Sequence, residues 1–245
     1  MRSILVFPAV STEAAAFSVH LLQQEGIPVI DHPAPEITHL LLDVPSFAPD
    51  GALRGGGDVE KILERLPVDI TVAGGNLEHP ALRGYKKMDL LQDETYLAQN
   101  AAITADCALQ VAAPLLKTTF ADTPTLIFGW GRIGKCLARI LRNLGAPVTV
   151  AARKEKDRAM IRALGYDATQ IEGAYSGFRL VFNTVPEEIV HHRLPGCVNI
   201  DLASRKGIPG DDVVWARGLP GIYAPESSGR LIAETFLRRY KEESQ

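Results

Sequence analysis

The run Thr125-Leu126-Ile127-Phe128-Gly129-Trp130-Gly131-Arg132-Ile133-Gly134 constrains this chain more than any other segment. It reads as a buried strand, a G-x-G-x-x-G turn and the start of a helix, in that order. Gly129 permits the tight turn. Gly131 has no Cβ, so a diphosphate can approach the backbone. Gly134 lets the helix lie close on the strand. The helix start then offers N–H groups and a partial positive charge to an anion. Trp130, Arg132 and Ile133 fill the positions between the glycines and belong to the same expected cofactor corner. Beyond the turn, Ile133, Leu137, Ile140, Leu141 and Leu144 recur at helical spacing, and Gly145 stops the helix. Pro147-Val148-Thr149-Val150-Ala151 reads as the next strand. Together these make one βαβ unit, which is the context a glycine motif needs before it means a dinucleotide site.

The tip of the second strand bears on which dinucleotide. A site for NAD places Asp or Glu there, about 20 residues past the glycines, to hold ribose hydroxyls. Here the chain reads Ala151-Ala152-Arg153-Lys154, with no acid. A carboxylate would repel a 2′-phosphate, whereas Arg153 can pair with one. The expected cofactor is therefore NADP, with Arg153 and Lys154 at its 2′-phosphate. The competing reading makes both cations a solvated helix start.

Composition narrows the remaining classes. The chain has 245 residues, 46% hydrophobic and 22% charged, enough for one large or two modest domains with real cores. A net charge of −3 gives no electrostatic case for nucleic acid or an acidic membrane surface. No stretch approaches the roughly 18 apolar residues of a membrane span. Residues 1–7 are too short an apolar run for a signal peptide and read as a first strand. Cys107, Cys136 and Cys197 are odd in number, far apart, and fit no metal or disulfide spacing; Cys136 is expected as a buried thiol. The expectation is a soluble, cytoplasmic protein with no metal.

The first third has an α/β rhythm, with strands at 3–7, 27–30, 38–42 and 68–73 and helices at 13–24 and 59–65. Residues 43–57, rich in Pro and Gly, read as a loop. A long helix over 94–117 bridges two domains, with Pro114 bending it or ending it early. Ala121-Asp122-Thr123-Pro124 marks the boundary. The expected division is an N-terminal α/β domain over residues 1–120, for substrate or partner, and a Rossmann domain over 121–245. Later strands fall at 179–183, 197–201 and 213–216. The last helix, 226–240, carries Leu231, Ile232, Thr235, Phe236 and Arg239 along one side, and the segment 226–245 is a candidate to pack back on the first domain.

Ligands of open α/β sheets sit beyond the carboxyl ends of the strands. Asn183-Thr184-Val185-Pro186 follows an apolar strand and suits contacts to a nicotinamide ribose, or is a plain turn. Asp201-Leu202-Ala203-Ser204-Arg205-Lys206-Gly207 ends another strand. Its Arg205 is a planar fork for a carboxylate, unless Asp201 and Arg205 pair only to shape the loop. Gly218 to Pro225 is a constrained loop before the last helix. Ser227 and Ser228 either meet an anion there or cap the helix.

Taken in order, these segments resemble the A-subunit family of dipicolinate synthase. The likeness runs from about Thr38 onward. It is carried by Leu40-Leu41-Leu42-Asp43-Val44-Pro45 with Asp50-Gly51, Val72-Ala73-Gly74-Gly75, Asp89-Leu90-Leu91, and Asn100-Ala101-Ala102-Ile103-Thr104-Ala105-Asp106. The most specific matches are residues 201–207 and Gly218-Leu219-Pro220-Gly221 with Ala224-Pro225. The resemblance implies two Rossmann-like domains with parallel sheets joined by a long helix, the arrangement of formate and glycerate dehydrogenases. It implies an NADP-linked oxidoreductase making dipicolinate from a dihydrodipicolinate-type dicarboxylate during sporulation. It also implies a partner, the flavoprotein-like second subunit of dipicolinate synthase. Self-association is left open. On that reading Arg205 takes one carboxylate, Asn183 and Thr184 position the nicotinamide, and Asp106 or Asp201 handles a proton.

The chain departs from the family on the substrate side. Phe7-Pro8-Ala9-Val10-Ser11-Thr12-Glu13 stands where a G-G-D-x-R turn is usual, Asp106-Cys107 replaces E-G, Ile103 replaces Pro, and the first domain is shorter. Two alternatives follow. One is a dehydrogenase of the 2-hydroxy-acid type, which would want a histidine and has only His191 and His192 to offer in the second domain. The other is a non-catalytic NADP-binding protein.

Overall fold

The strand His39-Leu40-Leu41-Leu42 is buried on both faces, as a parallel strand covered by helices must be. The computed structural model describes residues 3–173, 175–188, 194 and 196–243. Along the chain run β1 (Val6–Ala9), α1 (Glu13–Gln24), β2 (His39–Leu42), α2 (Val59–Leu63), β3 (Thr71–Gly74), β4 (Lys86–Asp89) and α3 (Glu94–Ala112). There follow β5 (Thr125–Phe128), α4 (Arg132–Asn143), β6 (Val148–Ala151), α5 (Glu155–Ala163), β7 (Asp167–Thr169), β8 (Leu180–Asn183), β9 (Val198–Asp201), β10 (Val214–Trp215), α6 (Leu219–Tyr223) and α7 (Pro225–Glu243). The chain divides into two units, Met1–Asn100 with Ala224–Gln245, and Ala101–Tyr223. α3 carries the chain into the second unit. Among the described residues no helix is long and apolar enough to cross a membrane.

The first unit holds a parallel sheet in the order β1-β2-β3-β4. Ile37, Leu40, Leu42, Val59, Leu63, Ile70 and Val72 form one core cluster. α7 packs on α1, burying Leu231, Ile232, Thr235 and Phe236. Arg239, expected on that side, is only half-buried; Arg238 donates to Asp93 at 2.6 Å and ties α7 to the residue that caps α3.

The second unit holds six parallel strands in the order β10-β9-β8-β5-β6-β7. Numbered in chain order from β5 and read from the β7 edge, that is the 3-2-1-4-5-6 pattern of a dinucleotide-binding sheet, with the reversal at its centre. Leu126, Phe128, Ala151, Val181 and Ile208 belong to a buried cluster on it.

Several expected elements change. Residues 27–30 make only an isolated bridge between Val6 and Val29, since Pro28 has no N–H for a ladder. The helix expected to reach 117 stops at Ala112 and tightens into a 3-10 turn over Ala113–Leu115, where Pro114 removes a donor. The segment Gly218 to Tyr223, expected as loop, contains the short α6. Leu144 is the exposed C-terminal cap of α4, and Cys136 is half-buried. Three elements carry no apolar signal: β4 and β7, both at sheet edges, and the charged α5.

His39 is a buried histidine covered by α7. Phe236 and Tyr240 meet its ring edge-on at 5.5 Å each. Burial pulls its pKa from the ordinary 6.5 down to about 4; Glu243 works against that shift and Lys86 adds to it. The fold therefore favours neutral imidazole, while the unfolded chain takes the proton at its ordinary value. The stabilisation is complete above pH 6.5 and is lost as pH falls to about 4. A shift of this size corresponds to about 3 kcal/mol. Urea midpoints followed between pH 7 and 4 should fall more steeply for the wild type than for His39→Gln; equal slopes would remove His39 as the cause.

Candidate functional site

Parallel register delivers the site to one edge of the second unit's sheet. Phe128 stands opposite Ala151 on one side and Asn183 on the other. Asn183 is opposite Asp201, and Asp201 opposite Trp215. The strands thus end in one row, and the residues after each emerge together. The order reverses at β5, whose connection leads to β6 while that of β8 leads to β9, so the two turns part there.

The turn after β5 is built by contrast among its glycines. Gly129 has φ +100, and a Cβ on it would lie 2.5 Å from Thr184 Oγ1 and 2.9 Å from Val185 Cγ2. A Cβ on Gly134 would overlap the Gly129 carbonyl oxygen, so α4 can start this close to β5 only without a side chain there. Gly131 is different: apart from its chain neighbours, nothing lies within 4 Å of where its Cβ would be. It is the residue before α4, extended, and supplies no side-chain cap. The first-turn N–H groups of a helix have no acceptor within the helix. The space over Gly131 therefore suits an anion, and a Cβ would fill it. The Trp130 indole, on the residue before Gly131, stands edge-on to Tyr166 at 6.0 Å, with Lys135 Nζ at 5.8 Å. Arg132 is exposed and Ile133 half-buried in the same first turn.

The turn after β8 closes on itself. Thr184 donates from both N and Oγ1 to the Phe128 carbonyl, at 2.9 and 2.8 Å. The buried Asn183 amide donates to Val185 O at 3.0 Å and accepts from Val185 N at 2.9 Å. The Asn183 and Thr184 side chains expected to meet a ligand are thus engaged with the protein's own backbone. They shape the turn, and the half-buried Val185 and the exposed Pro186 are what it presents.

Asp201 also has a different occupation from the one expected. Its fully buried carboxylate accepts from Ala203 N at 3.0 Å, Gly207 N at 2.7 Å and Ile208 N at 3.0 Å. Among the described residues no ion pair joins it to Arg205. A carboxylate so surrounded by donors anchors the loop. The same loop packs on the β8 turn, because a Cβ on Gly207 would collide with Glu187 O and Asn183 Nδ2. Arg205 stands exposed on it, without a hydrogen bond or ion pair among the described residues. Beside it, Trp215 Nε1 donates to Ala203 O at 3.0 Å and Arg217 Nη1 to Ser204 O at 2.8 Å.

At the tip of β6, Arg153 Nη2 pairs with Glu187 Oε2 at 2.8 Å. The hydrogen bond to Glu187 and that residue's charge hold the guanidinium pKa above its ordinary value. Lys154 precedes α5 and is exposed. Arg158 is a residue that no motif in the sequence singles out. It is buried, reaches back along α5, and donates to Ala152 O at 2.6 Å and Arg153 O at 2.7 Å. Helical side chains lean toward the N-terminus, so an Arg in the first turns of α5 is the available signal.

Other expected residues stand on the helices. Asp106 is exposed on α3 and has no hydrogen bond or ion pair to Asp201 or Arg205. Ser227 and Ser228 fall inside α7 and not before it, and Ser228 is buried, so neither is a cap. His191 and His192 lie outside the described residues.

No protein-family model matches the chain. The A-subunit of dipicolinate synthase from Bacillus subtilis (strain 168) is 25% identical over 235 residues, spanning 84% of this chain and 78% of that protein. The crystal structure of the same subunit from Bacillus halodurans matches with a TM-score of 0.81 at 20% identity, over 97% of each chain. The crystal structure of its Bacillus subtilis counterpart matches with a TM-score of 0.79 at 19% identity, over 100% of this chain and 99% of that one.

The glycines make a paired prediction. Gly134→Ala should cost about 1–3 kcal/mol or more, because its new methyl meets backbone. Gly131→Ala, with φ −80 and open space, should stay within about 1 kcal/mol. Thermal melts of the two variants decide it.

Proposed function

We propose that this chain is a divergent member of the dipicolinate synthase A-subunit family, an NADP-dependent dehydrogenase that oxidises a dihydrodipicolinate-type ring to dipicolinate. The observation that carries the reading is the open face of Gly131 at the start of α4, beside the Arg153 tip of β6. Gly129, Gly131 and Gly134 with the first turn of α4 would hold the diphosphate. Arg153 and Lys154 would take the 2′-phosphate, and Val185 and Pro186 would border the nicotinamide ribose. When bound, the nicotinamide supplies a hydride acceptor.

The rest is work for the protein's own residues. Arg205 clamps one carboxylate of the substrate through its planar fork. Asp201 acts at one remove, fixing the loop that carries Arg205. Asp106 is the proposed proton acceptor. The ring loses a hydride and a proton, and aromatisation favours the step. The flavoprotein-like second subunit of dipicolinate synthase is the proposed partner, and the bacterial cytoplasm during sporulation the setting.

A second reading, a non-catalytic nucleotide-binding protein, has its own support. Where the family has G-G-D-x-R, Ser11 and Thr12 instead wrap the buried Asp43 carboxylate. Ser11 N and Oγ donate at 3.0 and 2.8 Å, Thr12 N and Oγ1 at 3.0 and 2.6 Å. A turn closed in this way has given its polar groups to the fold.

The test is titration of the purified chain with NADP and NAD, then NADPH formation from freshly made dihydrodipicolinate with and without the flavoprotein-like partner. Turnover supports the first reading, and tight binding without turnover on any dicarboxylate supports the second. Arg153→Ala should weaken NADP about tenfold or more, with NAD changed far less; equal loss of both would sink the 2′-phosphate assignment. Arg205→Ala should raise KM for the dicarboxylate about tenfold and leave nucleotide affinity in place.

A further inference from the structure

The Arg153–Glu187 pair joins two elements that are not neighbours in the sheet. Arg153 lies two residues past Ala151 at the end of β6, and Glu187 four past Asn183 at the end of β8; β5 runs between those strands. Strands flanking a common neighbour are roughly 10 Å apart. Two long side chains therefore meet across the end of β5, with the charged atoms 2.8 Å apart. Arg158 holds the carbonyls on either side of the Ala152–Arg153 bond, and Gly207 packs under the Glu187 carbonyl. Both arms of the pair are thus set on fixed backbone.

We propose that Glu187 sets this protein's preference between NADP and NAD, as the counter-ion that a 2′-phosphate must displace from Arg153. The inference rests on the cofactor reading above and deepens it. No acid stands at the tip of β6, but Glu187 brings one there from the turn after β8. A ribose 2′-hydroxyl can donate to that carboxylate and leave the ion pair intact. A 2′-phosphate is repelled by the same carboxylate and gains Arg153 only by breaking the pair. Arg153 alone therefore overstates the preference for the phosphorylated nucleotide. Glu172, whose charge also acts on Arg153, adds to the negative field there.

The experiment is calorimetric titration of NADP, NAD, adenosine 2′,5′-bisphosphate and 5′-AMP into four proteins: wild type, Glu187→Gln, Arg153→Ala and the double variant. The Glu187 side chain is 62% exposed, so the isosteric change leaves the fold in place. Glu187→Gln should tighten NADP and the bisphosphate about tenfold, with NAD and 5′-AMP moving less than about twofold. The gain should shrink at high salt, as exposed charges are screened. In the Arg153→Ala background the same change should act only through relief of repulsion, with a smaller gain. A ratio of NADP to NAD affinity that does not move in Glu187→Gln overturns this proposal alone. Failure of the wild type to bind any of the four ligands overturns the cofactor reading and takes this one with it.

Discussion

Parallel backbone pairing of β5 with β6 and β8 is the constraint on which the rest of the second unit depends. It puts Phe128, Ala151 and Asn183 in one row, and everything chemically interesting is measured from that row. A slip of one residue in either pairing would turn buried side chains outward and carry Arg153 or Thr184 to the wrong face. Thr184 reinforces the register with a second bond to the carbonyl already used by its own N–H. Close approach of α4 then follows from the missing side chain at Gly134, and the helix begins just past the open side of Gly131.

A second device recurs in both units. Aspartates at strand ends turn their carboxylates onto the backbone of a neighbouring loop. Asp43 gathers Ser11 and Thr12; Asp201 gathers Ala203, Gly207 and Ile208. Asp89 gathers the N–H groups of Asn76, Leu77 and Leu91 at 3.1, 2.8 and 2.9 Å. Loops that leave a buried sheet edge have N–H groups with no ladder to join, and an ionised carboxylate can satisfy several at once. An acid at such a position in a sequence is accordingly ambiguous between chemistry and architecture. In this protein the Asp201 carboxylate is engaged with three loop N–H groups.

This ambiguity explains what can and cannot be read from the amino acids. The β5–α4–β6 corner is legible because glycine spacing, helical periodicity and an apolar strand agree over a short stretch. The buried central strands are legible for the same reason. β4, Lys86-Lys87-Met88-Asp89, is not, because an edge strand with one buried side chain has no alternation to show. α5 is hidden because its charges look like loop. Arg153 stands out at its strand tip, but its partner lies 34 residues away, beyond the reach of any local pattern. Asn183 and Thr184 are conspicuous polar residues at a strand end, yet whether their polar atoms face a ligand or their own turn is decided only by three-dimensional closure.

The course of the backbone has a consequence for biosynthesis. The chain leaves the first unit within α3 and returns to it only with α7, whose Phe236 and Tyr240 cover His39 on β2. On a ribosome the earliest-made strands therefore wait uncovered while the later-made sheet, contiguous from Ala101 to Tyr223, can already close. Of the two units, the one whose strands are made earlier is completed later, sealed only once α7 has been made.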